Sequence, residues 1–204
     1  MDYKDRRTSK RIKTPLENCI LASLNKADQK IVLPRLEIVE LTGGSTFLNA
    51  GEKFSEIIFP TTSLISLQFA SEDGKIVEVD AIGNEGFVGA SYVKGRDIST
   101  LQINVIYTGF AYSIKANDFH TLLEKLPQLK SKILLYTQAL LSKTWVNVAC
   151  HRLHSIEQQY AKMLLSTADS LATNTLLFSQ LSISDRLGVR RESVTVSSKK
   201  FKEA

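Results

Sequence analysis

The sequence predicts an α+β protein in which an antiparallel β domain is followed by one long helix and then by a helix-turn-helix. Three observations predict this order. They are short strand-like segments between residues 36 and 114, an apolar stripe of helical spacing from 127 to 153, and two short helical segments joined by a glycine at position 188. The chain has 204 residues, of which 43% are hydrophobic, and we expect it to bury a real core in two modest units rather than one.

Both ends of the chain are net positive. The first 13 residues hold six Lys or Arg against two Asp, and the last 25 hold six against three acidic residues. Charge alone favours a solvated tail and a solvated helix face over any particular partner. Residues 1–14 are therefore read as a basic tail.

Several classes of protein are disfavoured by the sequence. No apolar run reaches the roughly 18–20 residues of a membrane span, and no signal-peptide region follows the basic start, so we expect a cytoplasmic protein with no membrane partner. The cysteines Cys19 and Cys150 form no CxxC pair, and Cys150 with His154 on one helix would leave a metal short of ligands. We expect no metal, no cofactor and, since no nucleophile–base set is found, no enzyme.

The β domain is predicted from its segments and their breaks. Short amphipathic helices over residues 15–32 precede it. Val-, Ile-, Phe- and Tyr-rich segments such as LEIVEL, SLISLQFA and KIVEVDAI then alternate with Gly-, Asn- and Asp-containing breaks. This spacing is typical of an antiparallel sandwich or barrel. EDG at 72–74 predicts a hairpin turn, because Gly accepts positive φ.

One long helix is predicted from residue 127 to 153. Pro127 suits a first helical turn, and a helix of this length spans about 37 Å, more than a small β domain needs to cover itself. We therefore expect it to pack on its own domain and on a second copy of the chain. The stripe that defines this dimer helix consists of Leu129, Ile133, Tyr136, Leu140, Thr144 and Val148.

The segment LSISDRLGVRRESVT (181–195) predicts a helix-turn-helix that follows a helix at 155–172. Ser179 is a candidate N-cap, and Gly188 is suited to end the first helix in a left-handed conformation. Ile183, Leu187 and Val194 are expected to face inward. The same pattern also fits an αα-hairpin in any helical domain, and these residues alone do not decide between the two.

The second helix of this pair carries the residues expected to contact DNA. Arg190 and Arg191 stand where a recognition helix meets base edges, and Glu192 can accept a hydrogen bond from cytosine. Polar residues farther along are suited to phosphate contacts, which give affinity without sequence information. These are Ser193, Thr195, Ser197, Lys199 and Lys200.

The order of these parts resembles the catabolite-activator/fumarate-nitrate-regulator (Crp/Fnr) superfamily of bacterial transcription regulators. The residues that carry the resemblance are VEVDAIGNEGFVGAS (77–91), LLYTQALL (134–141), VACHRLHSIEQQYAKMLL (148–165) and DRLGVRRESVT (185–195). The resemblance implies a jelly-roll-like, cyclic-nucleotide-binding-like β-roll at 15–126, a dimerisation helix at 127–154 and a winged-helix DNA-binding domain at 155–204. It also implies a homodimer that binds palindromic double-stranded DNA and responds to a small-molecule effector, with RNA polymerase as a further partner.

The sequence departs from the cyclic-nucleotide binders of that family. Their Gly-Glu pair would fall on Gly89 and Ala90, and their Arg-Ser or Arg-Thr pair on Ser99 and Thr100, so both charged groups are missing. Without them the site lacks its charge-assisted hydrogen bonds, and we expect a signal other than cyclic AMP. The effector-pocket candidates are Gly89, Ala90, Ser91, Ser99 and Thr100.

A second departure lies at the end of the sequence. It stops at KKFKEA, where the resemblance would place the β-hairpin wing, so we expect a helix-turn-helix without a wing and weaker DNA binding. Val196 replaces a base-reading Arg, so the target site should differ. Two hypotheses remain: a DNA-binding regulator, or a dimeric small-molecule sensor or interaction module that has lost DNA binding.

Overall fold

The computed structural model describes residues 14–71, 76–93 and 95–203, and its strands form two antiparallel sheets. The predicted turn at 72–74 and residues 1–13 of the predicted tail lie outside these ranges. One sheet has the order β1-β7-β3 and the other β2-β6-β4-β5. The strands are β1 (Glu37–Leu41), β2 (Thr46–Leu48), β3 (Glu56–Pro60), β4 (Leu64–Ala70), β5 (Ile76–Ile82), β6 (Gln102–Tyr107) and β7 (Gly109–Lys115).

Helices flank the β domain and dominate the chain after residue 115. Two 3₁₀ turns, Pro15–Glu17 and Leu33–Arg35, accompany the first helices. In the described ranges, no helix is both long and apolar enough to cross a bilayer. The helices are α1 (Cys19–Ala22), α2 (Lys26–Val32), α3 (Ala90–Val93), α4 (Ala116–Lys125), α5 (Pro127–Leu153), α6 (Ile156–Leu171), α7 (Gln180–Leu187) and α8 (Arg191–Glu203).

Side chains from both sheets meet in one apolar core. Ile58 of β3 and Ala111 of β7 face Ile65, Ile82 and Ile103 of the other sheet, and all five are almost fully buried. Because successive strand residues point to opposite faces, the neighbours of Ile58 along β3 cannot share this core. This arrangement confirms the predicted antiparallel β-roll and the α+β class.

The other face of β3 is covered by helices. Ile57 and Phe59 point away from the sandwich into a second cluster with Phe87, Phe119 of α4 and Ile133 of α5. The ring centroids of Phe59 and Phe87 lie 5.8 Å apart, and Phe119 packs edge-on against Phe59 at 5.9 Å. β3 is therefore buried on both faces, which fixes α4 and the first half of α5 on the β domain.

The long helix has the bounds that the sequence predicts, but its apolar stripe is divided. Leu129 and Ile133 are 1% and 0% exposed and belong to the cluster under β3. Their assignment to a dimer face is therefore wrong, because these side chains are already packed within one chain. Val148 lies at the other end of the stripe and is 65% exposed.

Gly86 allows α5 to approach the β domain closely. A Cβ at this position would lie 2.0 Å from the hydroxyl oxygen of Tyr136, so a larger residue requires the Tyr136 ring or the backbone around it to move. The Tyr136 ring also packs against Phe87 at 5.3 Å between centroids. Burial raises the pKa of Tyr136, which stays a neutral phenol.

The buried half of the stripe gives the first prediction. Replacing Ile133 by Ala removes a fully buried side chain beneath β3, and we expect a loss of about 2–5 kcal/mol in the free energy of unfolding, measured by urea titration. Lys132→Ala on the same turn is the matched control, since Lys132 is exposed, and it should leave the midpoint unchanged. Equal effects of the two changes would contradict the packing.

Candidate nucleic-acid interface and ligand cavity

The last two helices form the bent pair that the sequence predicts. Ser179 caps α7, since its side chain accepts a hydrogen bond from the backbone N–H of Ser182 at 3.0 Å. Gly188 ends α7 in the left-handed conformation, with φ of 64°. α8 begins at Arg191, so Arg190 lies in the turn rather than at the first position of the helix.

Apolar side chains hold this pair against α6. Ile183 and Leu187 of α7 and Val194 of α8 are buried, as predicted, together with Tyr160 and Met163 of α6. Ser155 begins α6 with a capping box. The three helices thus share a core, and the opposite face of α8 is left open to solvent.

The turn before α8 and the first turn of this helix present the predicted base-contacting residues. Arg190, Arg191 and Glu192 are exposed, and Ser193 is half-buried. The backbone N–H of Ser193 donates to the carbonyl of Arg190 at 3.0 Å, which holds the turn against the helix start. Two guanidinium groups and one carboxylate are therefore exposed to solvent where α8 begins.

The residues predicted to contact phosphates are less uniform. Thr195 and Lys199 are exposed, but Ser197 is 2% exposed, so its predicted phosphate contact is wrong. Lys200 contacts the carboxylate of Glu157 on α6, with 2.6 Å between Nζ and Oε1. This hydrogen bond lowers the pKa of Glu157 to about 2. The positive charge of Lys200 is therefore partly neutralised within the chain.

Arg186 is basic but does not face solvent. Its Nε lies 2.8 Å from Oε2 of Glu78 on β5, its Nη1 donates to the Thr167 hydroxyl at 3.2 Å, and its guanidinium lies 5.3 Å from the ring centroid of Phe178. A buried ion pair thus joins α7 to the β-roll. The sequence indicates the burial of Arg186, since this residue stands three positions after Ile183 and therefore shares the inward face of α7.

Side chains of α5 complete the outer edge of β5, which is the last strand of its sheet. Lys143 Nζ donates to the carbonyl of Ala81 at 2.9 Å, and Asn147 Nδ2 donates to that of Val79 at 3.2 Å. Lys143 Nζ also lies 2.7 Å from Oδ1 of Asp80. The exposed edge of the sheet is therefore closed by one helix.

A bulge in β5 sends its two carboxylates to opposite faces of the sheet. Leu67 of β4 pairs with Asp80, whereas Gln68, the next residue, pairs with Glu78, so Val79 is an extra residue. Strict alternation would place Asp80 and Glu78 on the same face. Instead Glu78 meets Arg186, while Asp80 points toward the interior of the β-roll.

A cavity of about 350 Å³ lies between the β-roll and α5. It contains all five predicted effector-pocket residues, and Leu140 and Thr144 of the predicted stripe form part of its wall. Among the residues that the structure describes, no Lys or Arg lines it, but Asp80 does. The predicted lining residues are Gly89, Ala90, Ser91, Ser99 and Thr100, and most of the others are apolar, including Phe54, Leu67, Val79, Ile82, Val88, Leu101, Ile103 and Leu141.

Solved structures of bacterial transcription regulators have the same fold. The c-di-GMP-responsive global regulator CLP of Xanthomonas campestris superposes with a TM-score of 0.71 at 12% identity, covering 88% of this chain and 92% of its own. A putative Crp/Fnr-family transcriptional regulator from Eubacterium rectale gives 0.64 at 17% identity, covering 93% and 87%, respectively. FixK2 of Bradyrhizobium japonicum gives 0.64 at 15% identity, covering 82% and 85%. No protein-family model and no curated protein matches the sequence.

The buried ion pair gives the second prediction. Arg186→Met keeps an unbranched apolar stem but leaves Glu78 without its cation, and we expect the free energy of unfolding to fall by about 3 kcal/mol. Arg190→Met is the matched control, because Arg190 is exposed and unpaired with Glu78. Chemical denaturation of both variants measures the difference. A stability of Arg186→Met equal to that of the control would contradict the role of the pair.

Proposed function

We propose that this chain is a DNA-binding transcription regulator of the Crp/Fnr type. The observation that carries the proposal is the exposure of Arg190 in the turn and of Arg191 at the start of α8, while Val194 anchors the helix in the core that it shares with α6 and α7. A helix of this kind, packed by one face and basic at its start, fits the major groove of DNA. The fold that the chain shares with solved regulators supports the same conclusion.

In this proposal the contacts divide by chemistry. Arg190 and Arg191 bind guanine edges, where a guanidinium can form two hydrogen bonds, and Glu192 accepts from cytosine. Ser193, Thr195 and Lys199 hold phosphates and fix the register. Lys200 joins them when a phosphate replaces the carboxylate of Glu157.

We also propose that the chain acts as a homodimer through the outer face of α5. Leu134, Leu141, Trp145 and Val148 follow one another at spacings of seven, four and three residues and are exposed. These spacings put them in one stripe, as in the seam of a two-stranded coiled coil. In this proposal these four residues form the dimer contact in place of the predicted stripe, because Leu129 and Ile133 of that stripe are buried within one chain. A dimer places two copies of α8 against the two half-sites of a palindrome.

The cavity between the β-roll and α5 is the proposed effector site. Its described lining holds no cation for a cyclic phosphate, and Ala90 stands where a ribose-binding carboxylate would be expected. The effector is therefore not cyclic AMP. Because Leu140, Leu141 and Thr144 of α5 form one wall, ligand occupancy changes the contacts of the same helix that carries the dimer seam.

A second candidate function is a dimeric sensor or interaction module that does not bind DNA. The burial of Arg186 and the pairing of Lys200 with Glu157 favour it, because both remove positive charge from the helix-turn-helix surface. Selection from a pool of random DNA duplexes decides between the two. Enrichment of a palindromic site supports the regulator, and the absence of any enriched sequence, with and without cell extract as a source of effector, supports the sensor.

The third prediction concerns the start of α8. Arg191→Ala should weaken binding to the selected duplex by about 1–3 kcal/mol and relax the preference at one base pair, since a two-point contact with guanine is lost. Fluorescence anisotropy at fixed salt measures this change.

Arg152→Ala is the control for that experiment. Arg152 is an exposed arginine in the last turn of α5, so its loss changes the net charge equally without touching α8. Equal effects of the two changes on sequence preference would show that α8 does not read the bases.

The fourth prediction concerns the seam. Trp145→Asp puts a charge in the centre of the exposed apolar stripe and should shift the protein from dimer to monomer in sedimentation equilibrium. Leu135→Asp is the matched control: Leu135 is also exposed on α5 but lies about 100° around the helix from Leu134. A monomeric wild-type chain, or dimers retained by both variants, would contradict the proposed interface.

A further inference from the structure

A second, smaller cavity lies where β5, α5, α6 and α7 meet, and we call it the junction cavity. Its volume is about 80 Å³, which admits a few water molecules or one small ion but no nucleotide. Val79 and Asp80 line both this cavity and the proposed effector cavity. The remaining walls differ, because α6 and α7 contribute only to the junction cavity.

The charged groups of the junction cavity do not balance. Three cations line it against two carboxylates when its histidine is counted as neutral, and these groups are Lys143, Lys162, Arg186, Glu78 and Asp80. Arg186 pairs with Glu78 at 2.8 Å, and Lys143 pairs with Asp80 at 2.7 Å. Both carboxylates are therefore used, and Lys162 has no carboxylate partner among the residues that the structure describes. One positive charge is left over.

The ammonium of Lys162 is held in position beside the cavity. Its Nζ donates to Oδ1 of Asn147 at 2.7 Å and lies 3.3 Å from Sγ of Cys150, and both partners line the junction cavity. Asn147 is fixed in turn, because its Nδ2 donates to the carbonyl of Val79 at 3.2 Å. An ammonium has three hydrogens, so one N–H of Lys162 remains for a further acceptor.

Two hydroxyls continue from Lys162 along the same face of α6. Ser166 and Ser170 follow it at intervals of four residues and also line the junction cavity. Neither hydroxyl has a hydrogen-bond partner in the described part of the chain, so each keeps its O–H donor. Ser166 is exposed and Ser170 is half-buried, so neither residue is sealed inside the protein. Free donors and an uncompensated positive charge therefore line one small space.

We propose that the junction cavity binds a small oxyanion of single negative charge, held by the ammonium of Lys162 and the hydroxyls of Ser166 and Ser170. A monoanion cancels the one positive charge that the lining leaves over, whereas a dianion would put excess negative charge beside Glu78 and Asp80. A neutral ligand would leave Lys162 without a counter-ion. The site is separate from the proposed effector cavity, and its occupation requires no DNA.

Formate and formamide are a matched pair of probes, since they have nearly the same size and shape but differ in charge. Nuclear magnetic resonance titration of the isotope-labelled full chain, at constant ionic strength, measures both affinities and shows which backbone amides respond. Formate should bind at least about tenfold more tightly, with responses at Ser166 and Ser170, because charge-assisted hydrogen bonds are the stronger ones. Sulfate, a dianion, should bind more weakly than formate.

Ser166→Ala removes a proposed donor but no contact within the described chain. The variant should be as stable as the wild-type chain in chemical denaturation, yet it should bind formate about fivefold more weakly. Ser142→Ala is the matched control, since Ser142 lies on α5 outside the lining of the junction cavity and its hydroxyl already donates to the carbonyl of Gln138. This control should keep the wild-type affinity for formate.

Lys162→Met removes the uncompensated charge and should weaken formate binding by more than about tenfold. Lys130→Met is the matched control, because Lys130 is exposed and does not line the junction cavity, so the same loss of net charge should leave the affinity unchanged. Circular dichroism verifies the folding of both variants. Ser166→Ala keeps the test decisive if Lys162→Met does not fold.

Any of four results would overturn the inference. They are formate binding no tighter than that of formamide or sulfate, wild-type formate affinity in Ser166→Ala or in folded Lys162→Met, no measurable formate binding, and responses confined to α8. The last result would place the anion on the exposed Arg190 and Arg191 instead. None of them bears on the selection of a DNA duplex, so failure of this inference and failure of the proposed function are distinguishable.

Discussion

The buried ion pair between Glu78 and Arg186 is the interaction on which the arrangement of the molecule depends. The carboxylate of Glu78 also accepts from the Ser66 hydroxyl at 2.7 Å, so it is fixed from both sides. Separating the two charges inside the protein would leave each without compensation, which costs far more than the pair itself contributes. α7 therefore stays against β5, and the open face of α8 is held in one orientation relative to the β-roll.

β5 contacts α5 and α7 and also lines the proposed effector cavity. Its outer edge is bound by Lys143 and Asn147 of α5, one face meets α7 through Glu78, and the opposite face supplies Asp80 to the cavity. Asp80 and Glu78 are two residues apart, so one short segment of β5 both lines the cavity and holds Arg186.

Much of the fold and of the helix-turn-helix could be predicted from local sequence, and the features that could not be predicted share one physical cause. Three features depend only on neighbouring residues, and the sequence predicts all of them. They are the cap at Ser179, the turn at Gly188 and the length of α5. The division of the α5 stripe, the burial of Arg186 and the position of Asp80 depend on long-range packing. Asp80 was missed because strict alternation along KIVEVDAI hides the bulge at Val79.

Hydrogen–deuterium exchange of the Glu78→Gln variant tests the central claim most directly. If the ion pair holds the helix-turn-helix on the β-roll, the backbone amides of α7 and of β5 should exchange faster than in the wild-type chain. Those of β3 and β7, which lie in the other sheet, should be unchanged. Unchanged protection of α7 and β5 would contradict the claim that this buried pair fixes the two parts of the molecule together.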